Sequence, residues 1–172
     1  MRKLANEELN RLSTEEFKQA EKRRLIIVLD NVRSLNNVGS VFRTADAFLV
    51  EAIYLCGITG TPPNKEIYKT ALGADESVAW QYFANTMDAI ADCKQKGYNV
   101  YSVEQAEGSI MLNDFKAPDG GVALIFGNEV NGVDMDAINA SEGCIEIPQD
   151  GSKHSLNISV SVGIVVWQVL KT

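Results

Sequence analysis

No stretch of this chain approaches the ~20 apolar residues that a membrane-spanning helix needs, so a membrane protein is not expected. Residues 1–24 carry charges throughout and lack the apolar run of a secretory leader, which makes a cytoplasmic protein the expectation. Cysteine is scarce: Cys56, Cys93 and Cys144 are odd in number, far apart and without Cys-x-x-Cys spacing. That disfavours a disulfide framework or a zinc site and suits a reducing compartment. Each thiol reads best as a small buried hydrophobe. His154 is the single histidine and adjoins Ser155 in sequence. With no Gly-x-Ser-x-Gly elbow, a serine hydrolase is not expected. No Gly-x-Gly-x-x-Gly follows the first apolar run and no Gly-x-x-x-x-Gly-Lys-Ser/Thr occurs, which disfavours dinucleotide binding and P-loop chemistry. No clustered carboxylate set suggests a metal.

Positive charge is also in short supply. The net charge is −7, unlike most nucleic-acid binders. The distribution is uneven. Residues 1–24 hold seven basic and five acidic side chains, and residues 25–172 hold nine basic and eighteen acidic. Any RNA contact must therefore use local basic patches, and net charge alone favours an enzyme of small molecules. What remains is ordinary for a folded chain: 172 residues, 45% apolar and 23% charged, the size of one domain.

Residues 5–23 read as an exposed helical arm with Leu9, Leu12, Phe17 and Ala20 as a thin apolar stripe. A capping-box pattern at Ser13 to Glu16 predicts a break there. The organisation is thus an N-terminal extension, 1–24, and one domain, 25–172. Leu25 to Leu29 is a continuous apolar run, as expected for a strand buried on both faces. A helix over Asn37 to Leu49 follows. Strands are predicted at 52–56, 78–83, 99–103, 122–126 and 144–147, with helices at 65–72, 86–96 and 155–171. This alternation indicates an α/β domain with a mostly parallel sheet. In such sheets ligands bind at the carboxyl ends of the strands.

Three polar, glycine-bearing segments follow predicted strands. In residues 31–48, Asn37 and Gly39 sit where a loop enters a helix, and Arg43 lies six residues after Asn37. A helix start with free amides suits an anion; the plain alternative is a capped helix with a surface Arg. In residues 123–134, a buried strand runs into Gly127-Asn-Glu129, where glycine permits close approach of backbone to a ligand and Glu129 could orient a base or accept a hydroxyl proton. The plain alternative is a glycine turn with a solvated Glu. In residues 145–167, Ile147-Pro148 ends a strand and Ser155 suits a helix cap. The helix after it is rich in β-branched residues and must be buried against the sheet or a partner chain. Asn157 at its first turn needs hydrogen-bond partners if buried. His154 reads as exposed or at a site entrance.

Taken in order, these segments resemble the three motifs of the SpoU/TrmH family of RNA ribose 2′-O-methyltransferases, a branch of the SPOUT superfamily. Asn37-Val-Gly-Ser-Val-Phe-Arg43 matches the first, Gly127-Asn-Glu129-Val-Asn-Gly132 the second, and Ile147-Pro-Gln-Asp-Gly151 with Ser155-Leu-Asn157 the third. The likeness runs from about Leu25 to Lys171.

The resemblance implies an α/β SPOUT domain with a C-terminal deep trefoil knot, an exception to the rule against knots. It implies S-adenosyl-L-methionine as methyl donor, with S-adenosyl-L-homocysteine as product. Backbone groups at Gly127, Ile147 and Leu156 would hold the donor, helped by Val103 and Glu104. It implies a homodimer with the last helix in its interface, and a substrate that is RNA, not DNA. Arg43 corresponds to the catalytic arginine, with Asn37, Glu129, Ser155 and Asn157 orienting it and the ribose. Because a guanidinium is a poor base, Arg43 reads as a stabiliser of the developing alkoxide. Val130 stands where the family often has Gly or Ala, which narrows the loop. Gln149, with Trp167 in the final helix, resembles the branch that methylates a D-loop guanosine of tRNA. Ribosomal RNA is the alternative substrate. A non-catalytic RNA-binding homologue and an unrelated small-molecule enzyme are the other readings.

Overall fold

The computed structural model describes residues 1–171. It contains a seven-stranded sheet in which every pairing is parallel. In chain order the elements are α1 (Thr14–Gln19), β1 (Arg23–Asp30), α2 (Leu35–Ala47), β2 (Val50–Cys56), α3 (Lys65–Ala71), α4 (Ala74–Ser77), β3 (Ala79–Phe83), α5 (Thr86–Gln95), β4 (Asn99–Val103), β5 (Ile110–Met111), β6 (Val122–Phe126), α6 (Met135–Ala140), β7 (Gly143–Glu146) and α7 (Ile158–Val169). The strand order is β3-β2-β1-β6-β4-β7-β5.

The β1 run Leu25 to Leu29 is buried along its whole length because β2 and β6 flank it and helices cover both faces. Successive side chains point to opposite faces of a strand. Leu25, Ile27 and Leu29 join the core under α2, α3 and α7, with Phe42, Ile67 and Val166. Ile26 and Val28 join the second core under α5 and α6, with Ile90, Cys93 and Ala137. All three cysteines are free and buried, and burial pushes the thiols of Cys56 and Cys93 up to about 12. None of the helices is long and apolar enough to cross a membrane among the described residues.

Several expectations need correction. The arm is not one helix over 5–23 but a 3-10 turn at Asn6–Leu9 and the short α1, with the break at Ser13. There the Ser13 hydroxyl accepts from Glu16 N at 3.2 Å and Glu16 Oε2 accepts from Ser13 N at 2.8 Å. Nor is the arm wholly outside the domain, because Phe17 is buried in the larger core. The last helix begins at Ile158 with Asn157 as its cap, not at Ser155. Two short helices, α4 and α6, and the two-residue β5 went unpredicted; elements this brief offer no full period of apolar spacing.

Gly39 also has a different role from the one its loop setting suggested. It is buried within α2, where α3 crosses so closely that a Cβ would fall 2.2 Å from the Ile67 carbonyl oxygen and 2.1 Å from the Thr70 hydroxyl. The same hydroxyl donates to the Asn36 carbonyl at 2.8 Å. Gly39→Ala should therefore destabilise the fold by about 1–3 kcal/mol, as overpacking does, despite alanine's better helix propensity. A urea midpoint that falls at unchanged slope is the expected signature.

Candidate active site

The carboxyl ends of β1, β6, β4 and β7 lead into the segments that build the site. Asp30, the last residue of β1, is only 1% exposed. Its Oδ1 accepts from the Thr86 hydroxyl at 2.5 Å and from Asn31 Nδ2 at 2.9 Å. Its Oδ2 accepts from Asp134 N at 2.9 Å. A buried carboxylate is tolerated only when hydrogen-bonded, and these bonds pin the segment after β6 to the end of β1. Thr59, also buried, accepts from Val32 N at 2.9 Å and donates to the Leu29 carbonyl at 3.2 Å. Neither residue was singled out from sequence; a charge ending an all-apolar strand was the available signal for Asp30.

Glu129 reaches back across this junction. Its carboxylate accepts from Arg33 N and Ser34 N, both at 3.2 Å, and from Asn37 Nδ2 at 3.1 Å. Asn37 Oδ1 in turn accepts from Asn157 Nδ2 at 3.2 Å. Asn157 caps α7, its Oδ1 accepting from Ser159 N and the Ser159 hydroxyl at 2.9 and 2.7 Å. One residue from each sequence segment is thus joined in a single network. Burial pushes the Glu129 carboxyl up, but hydrogen bonds from its own amide, Asn37, Arg33 and Ser34 outweigh it and hold the pKa below the ordinary carboxylate range. These donors clasp the Glu129 carboxylate to the start of α2.

Beside the network lies a cleft of about 910 Å³. Val103, Glu104, Gly127, Ile147 and Leu156 all line it, as do His154, Ser155 and Asn157. Its tight wall is the 127–132 loop. A Cβ on Gly127 would fall 1.9 Å from the Gly132 carbonyl carbon, and Gly132 has a φ of 70° with Glu104 Oε2 at 2.1 Å from an added Cβ. Asn128 and Gly132 bond each other's backbone at 3.1 and 3.0 Å, and Asn128 Oδ1 accepts from the amides of Val130 and Asn131. Glu104 fastens the loop to β4, with Oε2 accepting from Val133 N at 3.0 Å. Val130 stands 67% exposed at the loop's tip. Glu104, Glu107 and Glu129 make the lining acidic. Glycine backbone, apolar walls and carboxylates suit a ligand with an aromatic ring and cationic groups.

Arg43 is not in this cleft. It lines a separate groove of about 740 Å³ between α2 and α7, with Ser40, Lys69, Ser159 and Trp167. It is exposed and makes no hydrogen bond or ion pair among the described residues. Ser155 lines the cleft and is likewise without a hydrogen-bond partner there.

Comparison with known proteins places this geometry. The model of the SpoU rRNA Methylase family matches residues 24–167. An uncharacterized tRNA/rRNA methyltransferase of Borreliella burgdorferi is 31% identical over 155 residues, covering 90% of this chain and 67% of that protein. A tRNA (guanosine(18)-2′-O)-methyltransferase of Thermus thermophilus is 28% identical, with 94% and 81% covered. A 23S rRNA (guanosine-2′-O-)-methyltransferase of Xanthomonas campestris is 28% identical, and the chain spans only 60% of its length. Among solved structures, an AdoMet-bound rRNA methyltransferase from Sinorhizobium meliloti superposes with a TM-score of 0.80 at 28% identity, covering 88% of this chain and 58% of that one.

The Glu129 network yields a pH-dependent prediction. A carboxyl whose pKa is lowered on folding stabilises the fold above its unfolded value, and that stability is lost as pH falls through the folded value. Glu129→Gln should cost about 1 kcal/mol at neutral pH, because its amide nitrogen turns a donor toward other donors while the exposed position lets water screen part of the loss. The difference from wild type should shrink on acidification, measured by urea unfolding across the acid range. An unchanged difference would show that the clasp does not depend on the charge.

Proposed function

Because the chain belongs to the SpoU rRNA methylase family, its model match spanning residues 24–167, we propose that it transfers a methyl group from S-adenosyl-L-methionine to a ribose 2′-hydroxyl of RNA. The observation that carries this reading is the Glu129–Asn37–Asn157 network beside the glycine-walled cleft. When bound, S-adenosyl-L-methionine supplies a methyl group on a positively charged sulfur, which suits the acidic lining. Backbone groups near Gly127, Ile147 and Leu156 would hold it, with Val103 and Glu104 at the β4 end.

The ribose is placed at the start of α7. There Ile158 and Ser161 line the cleft while Ser159 and Val160 line the Arg43 groove. Arg43 offers planar N–H donors to the oxyanion developing at the 2′-oxygen and to a neighbouring phosphate. Asn157, held by Asn37, and Ser155 orient the ribose. Glu129 is committed to amides and contributes position alone. Holding two reacting groups in line can supply a large part of a rate enhancement.

The substrate in this reading is tRNA, at a D-loop guanosine, with ribosomal RNA as the alternative. The Thermus tRNA enzyme, 28% identical with 94% of this chain covered, supports tRNA, together with Gln149 and Trp167. The C-terminal knot belongs to the same reading: β7 lies between β4 and β5, both earlier in the chain. So does a homodimer through α7. Val160, Ile164 and Trp167 present an apolar face, 49%, 38% and 52% exposed, continuous with Phe48 through the ring contact of Trp167 at 5.8 Å.

Two outcomes are expected. Arg43→Ala should lower labelled methyl transfer to bulk tRNA by about a hundredfold or more, as removal of an oxyanion donor does. Calorimetric binding of S-adenosyl-L-methionine should be unchanged, since Arg43 lies outside the cleft; full activity in the variant would sink the mechanism. Trp167→Asp with Ile164→Asp should convert a dimer to a monomer by light scattering after size exclusion, and a dimer that persists would place the interface elsewhere.

A further inference from the structure

A second groove, of about 670 Å³, lies on the far side of α3 from β1 and owes nothing to the three motif segments. Tyr68 of α3 and Trp80 of β3 line it, together with Pro62 and Pro63. Tyr68 is 55% exposed and Trp80 37%. Trp80 belongs to the edge strand of the sheet, which pairs only with β2. Large aromatic groups left open on an edge mark a recognition surface. Flat rings and prolines fit a planar partner better than an aliphatic one.

The charges select the partner. Lys65 and Lys69 stand one turn apart on α3, and both line the groove. In a chain of net charge −7, this pairing of lysines with aromatics complements a polyanion that carries rings. Lys69 also lines the Arg43 groove, so the two surfaces meet across α3. Its ion pair with Glu66, at 2.7 Å between half-exposed side chains, is of the surface kind that contributes little, and a phosphate can replace it. Asp75 and Glu76 line the groove as well. One Asp75 carboxylate oxygen is buried without a hydrogen-bond partner. A carboxylate here does not suit a phosphate, but that of the exposed Glu76 suits the N–H edge of a base.

We propose that this groove is a base-stacking subsite for the RNA substrate. A nucleotide flanking the methylated one stacks on Tyr68 and Trp80, with its phosphates toward Lys65 and Lys69. The assignment rests on RNA being the substrate, as proposed above, and adds where the strand runs beyond the target ribose: over α3, away from α7. Stacking on aromatic side chains is tolerant of base identity, so the subsite contributes affinity and register more than sequence choice.

Two measurements test it, one independent of catalysis. The chain has two tryptophans. Titration with an oligoadenylate of about ten nucleotides, within the usual span of single-strand sites, should quench tryptophan fluorescence. The quench should survive Trp167→Phe, in which Trp80 is the one tryptophan left. In methyl transfer to bulk tRNA, Tyr68→Ala and Trp80→Ala should each raise KM for RNA on the order of tenfold, leaving kcat and calorimetric affinity for S-adenosyl-L-methionine unchanged. Tyr68→Ala is a change on an exposed helix face, so its result does not depend on the integrity of β3. A KM unmoved by both alanine variants, or the absence of a quench in Trp167→Phe, overturns the subsite and leaves the methyltransferase reading standing. A Trp80-dependent quench in a protein that methylates no RNA upholds the subsite and removes that reading instead.

Discussion

The carboxylate of Glu129 receives three N–H groups from the start of α2, and the geometry of the candidate site depends on that clasp. Two of the donors are backbone amides just ahead of the helix, where the helix dipole favours negative charge. The third is Asn37, whose other end takes the side chain of Asn157. Segments separated by about ninety and one hundred and twenty residues are therefore held together by side chains. A carboxylate so occupied, with its pKa lowered, is poorly suited to take a proton. The proposed chemistry then relies on placement, which is what an already reactive methyl donor leaves for a protein to do.

Asp30, at the end of β1, is the counterpart of Glu129. It fixes the far end of the segment that Glu129 begins, through Asp134 N. Between the two carboxylates the chain makes the 127–132 loop, where Gly127 and Gly132 leave no space for side chains. Held at both ends and closed on itself by Asn128, this loop is a rigid wall, and a rigid wall lets backbone groups select a ligand without paying to order themselves.

Much of this was legible in the sequence. Apolar runs at Leu25 and Val122 located the buried strands, and the order of three polar segments located the site residues that the structure brings together: Asn37, Glu129 and Asn157. What was not legible depended on contacts distant in the chain. Asp30 meets Thr86 and Asp134 only after the sheet has formed, and nothing local to either announces it. Gly39 read as lying where a loop enters a helix, but it is buried within α2, and α3 occupies the space a side chain would need. Ser155 looked like a cap because serine is a good one, yet Asn157 reaches the amide two residues on. Phe17 lay in a polar stretch whose stripe was too thin to reveal its buried position.

Arg43 shows why spacing alone can mislead. Six residues along a helix turn the side chain by about 240° from where it began, so Asn37 and Arg43 cannot share a face. Asn37 joins the network at the cleft, while Arg43 shares its groove with Ser40 and Ala47, its neighbours at helical spacing. The separation also resolves the acidic composition. The cleft is lined by Glu104, Glu107 and Glu129, whereas the Arg43 groove holds Arg43 and Lys69 and no carboxylate. Exposed charges more than about 8–10 Å apart are largely screened at physiological salt. A phosphate arriving at that groove responds to its local cations rather than to the net charge, and an acidic chain can offer a carboxylate-lined pocket to a cationic donor while offering RNA a basic one.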